Sequence, residues 1–411
     1  MIVEDRRARA HLDIPLIVMV FSLALFSILA VSVATFSTSS EAGQSLLNYI
    51  TDSTYAMRQC LFVAVAPLII AALLSVPFDF YYRHCGIAYL AATFLVGFTL
   101  ITNRAQGVKA WTDIIYGYTI QPSEFIKLAL ILYLARLLSR YEHPLSNLRE
   151  LIEMGVMVGI PAVIVLASGE MGSLMVVVFI VAVMLFFADT KASTLWLLFL
   201  GAVLAIAALL GYMMTFAPDS YRLARIMAFF DPSSYSSTDA YQQTQSQTAI
   251  GSGGLYGIGI FVNGAWSQLN YVPADWTDFI FATIGEAFGF VGCLAIVLMY
   301  LAIILRMLYL ARYTRDRFSK LVIIGVMAML LFHVFENVAM TTGGMPITGI
   351  PLPFISYGGS NMVTNMGGVG LVLAAVRSRS LSAPVLTPQR ETAMNFYERR
   401  KKKKKKLKTG A

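Results

Sequence analysis

Residues 276–305 read WTDFIFATIGEAFGFVGCLAIVLMYLAIIL. From Phe279 onward, one formal charge, Glu286, interrupts an otherwise apolar run. About 20 apolar helical residues suffice to cross a bilayer. The stretch decides the fold: it is a membrane-spanning helix entered through a polar Trp276-Thr277-Asp278 step.

Working outward, apolar runs of similar kind recur at roughly 14–34, 55–76, 85–101, 120–138, 153–168, 171–188, 194–216, 321–341 and 356–376. The fifth and sixth runs are separated only by Ser168-Gly169-Glu170-Met171-Gly172. The 411 residues are 57% hydrophobic and 13% charged, whereas soluble domains carry about a quarter charged residues. Mean hydropathy is +0.69. The expected fold is an all-α integral membrane protein of ten transmembrane helices, with a large extracytoplasmic loop, residues 217–277, between helices 7 and 8.

Basic residues set the orientation. With the N-terminus inside, 25 of the 31 Lys and Arg fall on the cytoplasmic side. Arg58, Arg104, Lys109, Arg222 and Arg225 fall outside, and Lys127 lies within a span. That bias follows the positive-inside rule and predicts a multi-pass membrane protein with both termini cytoplasmic. Residues 1–13 form a cytoplasmic N-terminus, 14–377 a single membrane domain, and 378–411 a basic, mobile cytoplasmic tail. The first apolar run exceeds the 7–15 residues of a signal peptide and reads as a retained span.

The net charge of +8 comes mostly from that tail, so it carries no argument for nucleic acid. The tail's lysine run reads either as a topology anchor or as a contact for anionic membrane lipids. Cys60, Cys85 and Cys293 lie in spans or near cytoplasmic ends, without metal-ligand spacing, which predicts neither a disulfide framework nor a metal site.

Four groups of residues could carry chemistry. Asp278 sits where the outer loop meets a span, so it reads either as a helix cap or as a carboxylate meeting both a lipid-borne substrate and water. Glu124 and Lys127 share a helical face just inside span 4. An unpaired ammonium there is expensive, which predicts a Glu124–Lys127 ion pair facing the bundle interior. Arg222 and Arg225 would share one face of a short amphipathic helix, suited to a diphosphate or to lipid headgroups. His333 and Glu336 share a face of span 9 and are expected to form a hydrogen-bonded pair. Asp278 and Glu286 are eight residues apart, about 12 Å along a helix. That is too far for a hydrolase's carboxylate pair, which needs no more than about 9.5 Å.

Glycines 251, 253, 254, 257 and 259 permit close backbone approach, either by a ligand or in turns that fold the loop onto the membrane. Gly343 to Ser360 holds three prolines and many glycines in an apolar setting. Irregular backbone at membrane depth survives only when packed in protein or lining a wet cavity, so this loop should fold into the outer mouth.

Four stretches together resemble the SEDS family of FtsW, RodA and SpoVE, covering about residues 14–377. They are Ile120-Gln121-Pro122-Ser123-Glu124 with Lys127; Tyr241-Gln242 through Gln245-Ser246 to Ala249–Gly254; Thr277-Asp278-Phe279-Ile280-Phe281 with Gly285-Glu286; and Gly349-Ile350-Pro351-Leu352-Pro353-Phe354-Ile355-Ser356-Tyr357-Gly358-Gly359-Ser360. The resemblance implies a ten-span peptidoglycan glycosyltransferase of the bacterial plasma membrane that polymerises lipid II on the outer face, beside a class B penicillin-binding protein. It makes Asp278 the catalytic residue and puts Glu124, Lys127, Trp111 and Ser356 among the substrate-binding ones, to which the guanidinium pair Arg222 and Arg225 adds a site for the diphosphate. No tightly bound cofactor is implied; magnesium or manganese could accompany the diphosphate. The chain departs from the family pattern at Trp276 (usually His), Ala110 (often Arg), Gly169–Gly172 (usually Pro-Asp-x-Gly), Ala287 (often Glu) and Asn361 (often Ser).

The rival expectation is a lipid II flippase or other transporter, kept alive by Lys127, Glu286, His333 and Glu336 within spans. A scaffold without activity is a third, and it would leave Asp278 dispensable.

Overall fold

A computed structural model describes residues 12–36, 49–50, 53–101, 111–115, 118–217, 221–230, 238–262, 264–269, 271–272 and 275–378. The basic tail beyond Ser378 and the first eleven residues fall outside this set. The described chain forms α1 (Ile14–Ala34), α2 (Thr54–Ser75), α3 (Phe78–Thr99), α4 (Pro122–Ser139), α5 (Leu148–Ser168) and α6 (Met171–Phe187). These are followed by α7 (Ala192–Phe216), α8 (Tyr221–Phe230), α9 (Thr238–Ser252), α10 (Ile280–Arg312), α11 (Arg317–Thr341) and α12 (Gly359–Ser378).

A helix occupies each of the ten apolar runs. Seven of them (α1, α2, α5, α7, α10, α11 and α12) are long and apolar enough to cross a membrane, and α6 is a shorter apolar helix. The chain is therefore a multi-pass membrane protein. Several boundaries move outward from the apolar runs. α3 starts at Phe78 because its first turns carry Asp79 and Arg83, paired at 2.6 Å and invisible to a hydropathy reading. The all-α expectation needs one correction: β1 (Thr112–Ile115) and β2 (Tyr118–Ile120) form an antiparallel ribbon between α3 and α4.

α11 is the axis of the bundle, packed by α10, α6, α4 and α12 and buried on nearly every side. A helix apolar all round is one that is surrounded. α7 is the opposite case: Met213 is its one buried residue, so its apolar surface is left for lipid. Asp13 caps α1 by accepting from the Leu16 amide, and Arg306 of α10 forks onto the same carboxylate at 3.1 and 2.7 Å. Planar guanidinium against carboxylate is the strongest form of that pairing.

α10 is broken at Gly289, where φ is +65° and ψ −165°. The break strands backbone groups that hydrocarbon cannot satisfy. The glycine-rich stretch after α9 supplies the partners. Ile258 and Gly259 donate to the carbonyls of Glu286 and Ala287, and Phe290 and Val291 donate to those of Gly254 and Leu255, all at 2.9–3.1 Å. Of the two readings of these glycines, the structure fits turns folded onto the membrane helix: their close approach is to α10. A Cβ at Gly257, where φ is +82°, would lie 2.2 Å from the Ala287 carbonyl oxygen. Gly257→Ala is accordingly expected to destabilise the protein by roughly 3 kcal/mol, from backbone strain plus overpacking. Thermal unfolding of the purified variant should show it, with Gly251→Ala, whose Cβ would meet nothing within 4 Å, melting like the parent.

The outer segment 217–277 reads as loop in the sequence except for its amphipathic start, which is α8. Its second helix, α9, corrects that reading. α9 is polar because its side chains serve the frayed end of α11. Ser246 donates to Thr341 O (2.9 Å), Gln247 to Thr342 O (3.3 Å) and Gln243 to Met345 O (3.0 Å). Thr341 and Thr342 carry carbonyls that a helix C-terminus leaves without internal donors, and Met345 lies in the turn that follows.

Candidate functional site

Asp278 lies one residue before the N-cap of α10. That cap is Phe279, and no side chain makes the capping bond. The capping role weighed for Asp278 is therefore not the one it plays. Its backbone is clamped instead. The Trp276 carbonyl accepts from Tyr357 N (2.9 Å), the Thr277 carbonyl from Ser356 Oγ (2.7 Å) and the Asp278 carbonyl from Asn337 Nδ2 (2.7 Å). Three successive carbonyls are thus held by α11 and by the loop before α12. The same Asn337 amide also donates to Ile350 O (2.8 Å), joining the two segments.

The loop 343–358 is packed as its composition requires. Ile350, Leu352, Phe354 and Ile355 are buried, and Tyr300 of α10 donates to the Pro353 carbonyl. Gly349 at φ +75° sits so close to Asp278 that its Cβ would lie 3.4 Å from Oδ2. Ser356 is fully buried. Its hydroxyl accepts from Leu352 N (2.7 Å) while its proton goes to Thr277 O. Expected to touch substrate, Ser356 here builds the platform under Asp278.

The Asp278 side chain remains partly exposed at the mouth of α10. Burial pushes its carboxyl up to about 6, against the opposing pull of Arg225. Arg225 stands on α8 and donates to Ile347 O at 3.4 Å. Arg222 is one turn earlier on the same helix; its side chain lies outside the described residues. Trp111, 42% exposed, stands beside the ribbon.

Beneath the mouth is a sealed charge cluster. Lys127 Nζ is 2.6 Å from Glu124 Oε1, so the predicted ion pair forms, and 2.8 Å from His333 Nε2. His333 Nδ1 lies 2.6 Å from the Met329 carbonyl, which can only accept. Nδ1 therefore carries the ring proton, and Nε2 accepts from the ammonium. His333 and Glu336 were expected to bond each other. The histidine is taken by Lys127, and neither Glu336 oxygen has a hydrogen-bond partner.

Two anchors escaped the sequence reading. Glu170, noted there only as a departure from a family pattern, accepts from the Ser123 hydroxyl, from Ser173 (2.7 Å) and from Gln121 (3.0 Å). It ties the N-terminal end of α4 to that of α6. Glu286, buried in α10, accepts from the amides of Trp266 (2.6 Å) and Ser267 (3.0 Å). Its carboxylate holds a turn of the outer segment. No group of three metal-ligating side chains occurs among the described residues.

The model of the cell cycle protein family of FtsW, RodA and SpoVE matches residues 16–381. Peptidoglycan glycosyltransferase MrdB of Escherichia coli K12 is 30% identical over 375 residues, covering 91% of this chain and 95% of that protein. Stage V sporulation protein E of Bacillus subtilis is 30% identical over 327 residues, covering 79% and 87%. Among solved structures, a chain from a peptidoglycan synthase complex, described as coordinating polymerization and crosslinking, superposes with a TM-score of 0.72 at 24% identity, over 90% of this chain and 98% of that one. The rod shape determining protein RodA of Thermus thermophilus gives 0.64 at 22%, over 90% and 97%.

Proposed function

The chain belongs to the FtsW, RodA and SpoVE family of cell cycle proteins, and from that premise we infer that it is a peptidoglycan glycosyltransferase of cell shape, division or sporulation. Its substrate is lipid II, polymerised at the outer face of the membrane. One observation carries the site assignment: a partly exposed carboxylate, Asp278, clamped through three carbonyls at a helix mouth beside an arginine.

Asp278 acts as the general base. It takes the proton of the acceptor sugar's 4-hydroxyl as that oxygen attacks the anomeric carbon of the donor. The bond to the polyprenyl diphosphate breaks with inversion, the diphosphate leaves as an anion, and Asp278 returns its proton to water. No second carboxylate is required, because a diphosphate leaves without protonation. Arg225, with Arg222 on the same helix, neutralises the diphosphate. The donor set does not suit a protein-held magnesium or manganese ion: among the described residues the mouth offers one carboxylate, with a guanidinium beside it.

Ten spans with both termini cytoplasmic put α8, α9 and residues 253–278 outside and make 14–377 one membrane domain, followed by a basic cytoplasmic tail. The crosslinking partner is a class B penicillin-binding protein. Three of the four polar groups that favoured a transporter are committed elsewhere, Lys127 and His333 to each other and to Glu124, and Glu286 to two loop amides; Glu336 is the exception. The purified chain in lipid nanodiscs, given labelled lipid II alone and with a class B penicillin-binding protein, is expected to yield a ladder of glycan polymers. Vesicles carrying the chain that moved lipid II between leaflets without forming polymer would reinstate the flippase.

A further inference from the structure

Three residues before Asp278, Asp275 is buried to 0% exposure at the edge of the outer segment. Its Oδ2 accepts from Thr283 Oγ1 of α10 at 3.3 Å, and its Oδ1 has no hydrogen-bond partner. Residues 275 and 283 bracket Asp278, so this contact closes the turn in which Asp278 sits. The loop before α12 and Asn337 of α11 hold the carbonyl side of that turn; Asp275 holds its entry.

The groups facing Asp275 are unusual for a carboxylate. The charged neighbour on α10 is a second carboxylate, Glu286. From the segment before α2 comes the Tyr49 hydroxyl, which itself donates to Thr35 at 3.3 Å. An unpaired charge in such surroundings costs far more than an unpaired hydroxyl. Burial first, and the Glu286 charge after it, push the Asp275 carboxyl well above the usual carboxylate range. Thr283 and the amides of Trp276 and Asp275 pull the other way without offsetting burial; Oδ1, which makes no full hydrogen bond, is the natural place for the proton, leaving Oδ2 to receive Thr283.

We propose that Asp275 is a positioning residue for Asp278, working as a neutral carboxylic acid whose ionisation opens the turn around the base. This rests on the glycosyltransferase reading above. It places two acids on one short segment in opposite states: Asp278 must lose its proton to work, and Asp275 must keep its own. Activity then rises with pH as Asp278 deprotonates and falls again as Asp275 does, at up to tenfold per pH unit on each limb. The stability sign agrees. A group that binds its proton more tightly when folded makes the folded state less stable as pH rises from its unfolded to its folded value.

The test uses the full chain in nanodiscs between about pH 5.5 and about pH 9.5, with two readouts. The first is the pH profile of lipid II polymerisation; the second is the thermal unfolding temperature measured without substrate. Asp275→Asn, which mimics the neutral acid, is expected to keep the acid limb, lose the alkaline fall, and melt at a temperature that no longer declines with pH. Thr283→Val, which cuts the same contact from α10, is expected to lower kcat about tenfold with KM unchanged, as loss of positioning predicts. An alkaline limb for Asp275→Asn coinciding with the parent's, or a melting temperature that keeps the parent's pH slope, overturns the proposal. Absence of polymerisation by the parent would instead count against the glycosyltransferase reading, and the melting measurement would still decide the state of Asp275.

Discussion

Asp278→Asn is expected to cut the rate of glycan polymerisation by about 10²–10⁴-fold, the usual worth of a positioned general base. The substitution keeps the side chain's size and leaves the three backbone carbonyl contacts at 276–278 in place. The fold should therefore survive, and the melting temperature should stay near the parent's. KM should change little if the carboxylate acts on the acceptor proton and not on the diphosphate, because Arg225 supplies the opposite charge. The pH profile gives an independent check. With the Asp278 carboxyl held up to about 6 by burial, the parent should gain activity as pH rises through that value, since the ionised form is the base. Residual activity in Asp278→Asn should lose that limb. Parental rates in the variant, in detergent and in nanodiscs alike, would sink the catalytic assignment.

The membrane fold was legible because hydropathy is additive along a helix: α1, α10 and α11 announce themselves by composition alone. The outer segment was less so, for a physical reason that differs from residue to residue. Gln243, Ser246 and Gln247 look like loop residues, yet their spacing of three and four puts them on one face of α9, where they serve the carbonyls of α11. The signal was helical periodicity in polar residues, with no apolar stripe to draw the eye. The glycines at 253 and 257 declared close approach without declaring to what; only the break in α10 at Gly289 names the partner. Glu124 and Lys127 were readable as a pair because an ammonium within a span demands one. His333 was paired with the wrong neighbour, because local spacing cannot show that α4 faces α11. Trp276, where a histidine is usual, packs its ring on Tyr55 at 5.2 Å while its carbonyl takes the Tyr357 amide. Its backbone, not its side chain, serves the site. Asp275 was missed because its burial arises from the fold of the whole outer segment.

Lys127→Met is the second substitution with a large expected effect, and it separates two roles for the buried cluster. Removing the ammonium leaves the Glu124 carboxylate, 2% exposed and with Oε2 already unpartnered, without its charge partner, and takes the donor from His333 Nε2. Breaking a buried pair from one side costs about 3–5 kcal/mol, whereas replacing both members with neutral groups of similar size is often close to neutral. The single variant should therefore melt well below the parent, and the double variant Lys127→Met/Glu124→Gln should recover most of the loss. A double variant as unstable as the single one would mean that Lys127 stabilises through His333 or Glu336 and not through Glu124. Polymerisation by the recovered double variant then decides function. Activity near the parent's assigns the pair to packing beneath the mouth, in keeping with its burial. Activity lost at restored stability assigns it to the substrate, and requires that the mouth open inward during turnover far enough to reach a side chain that is 1% exposed here.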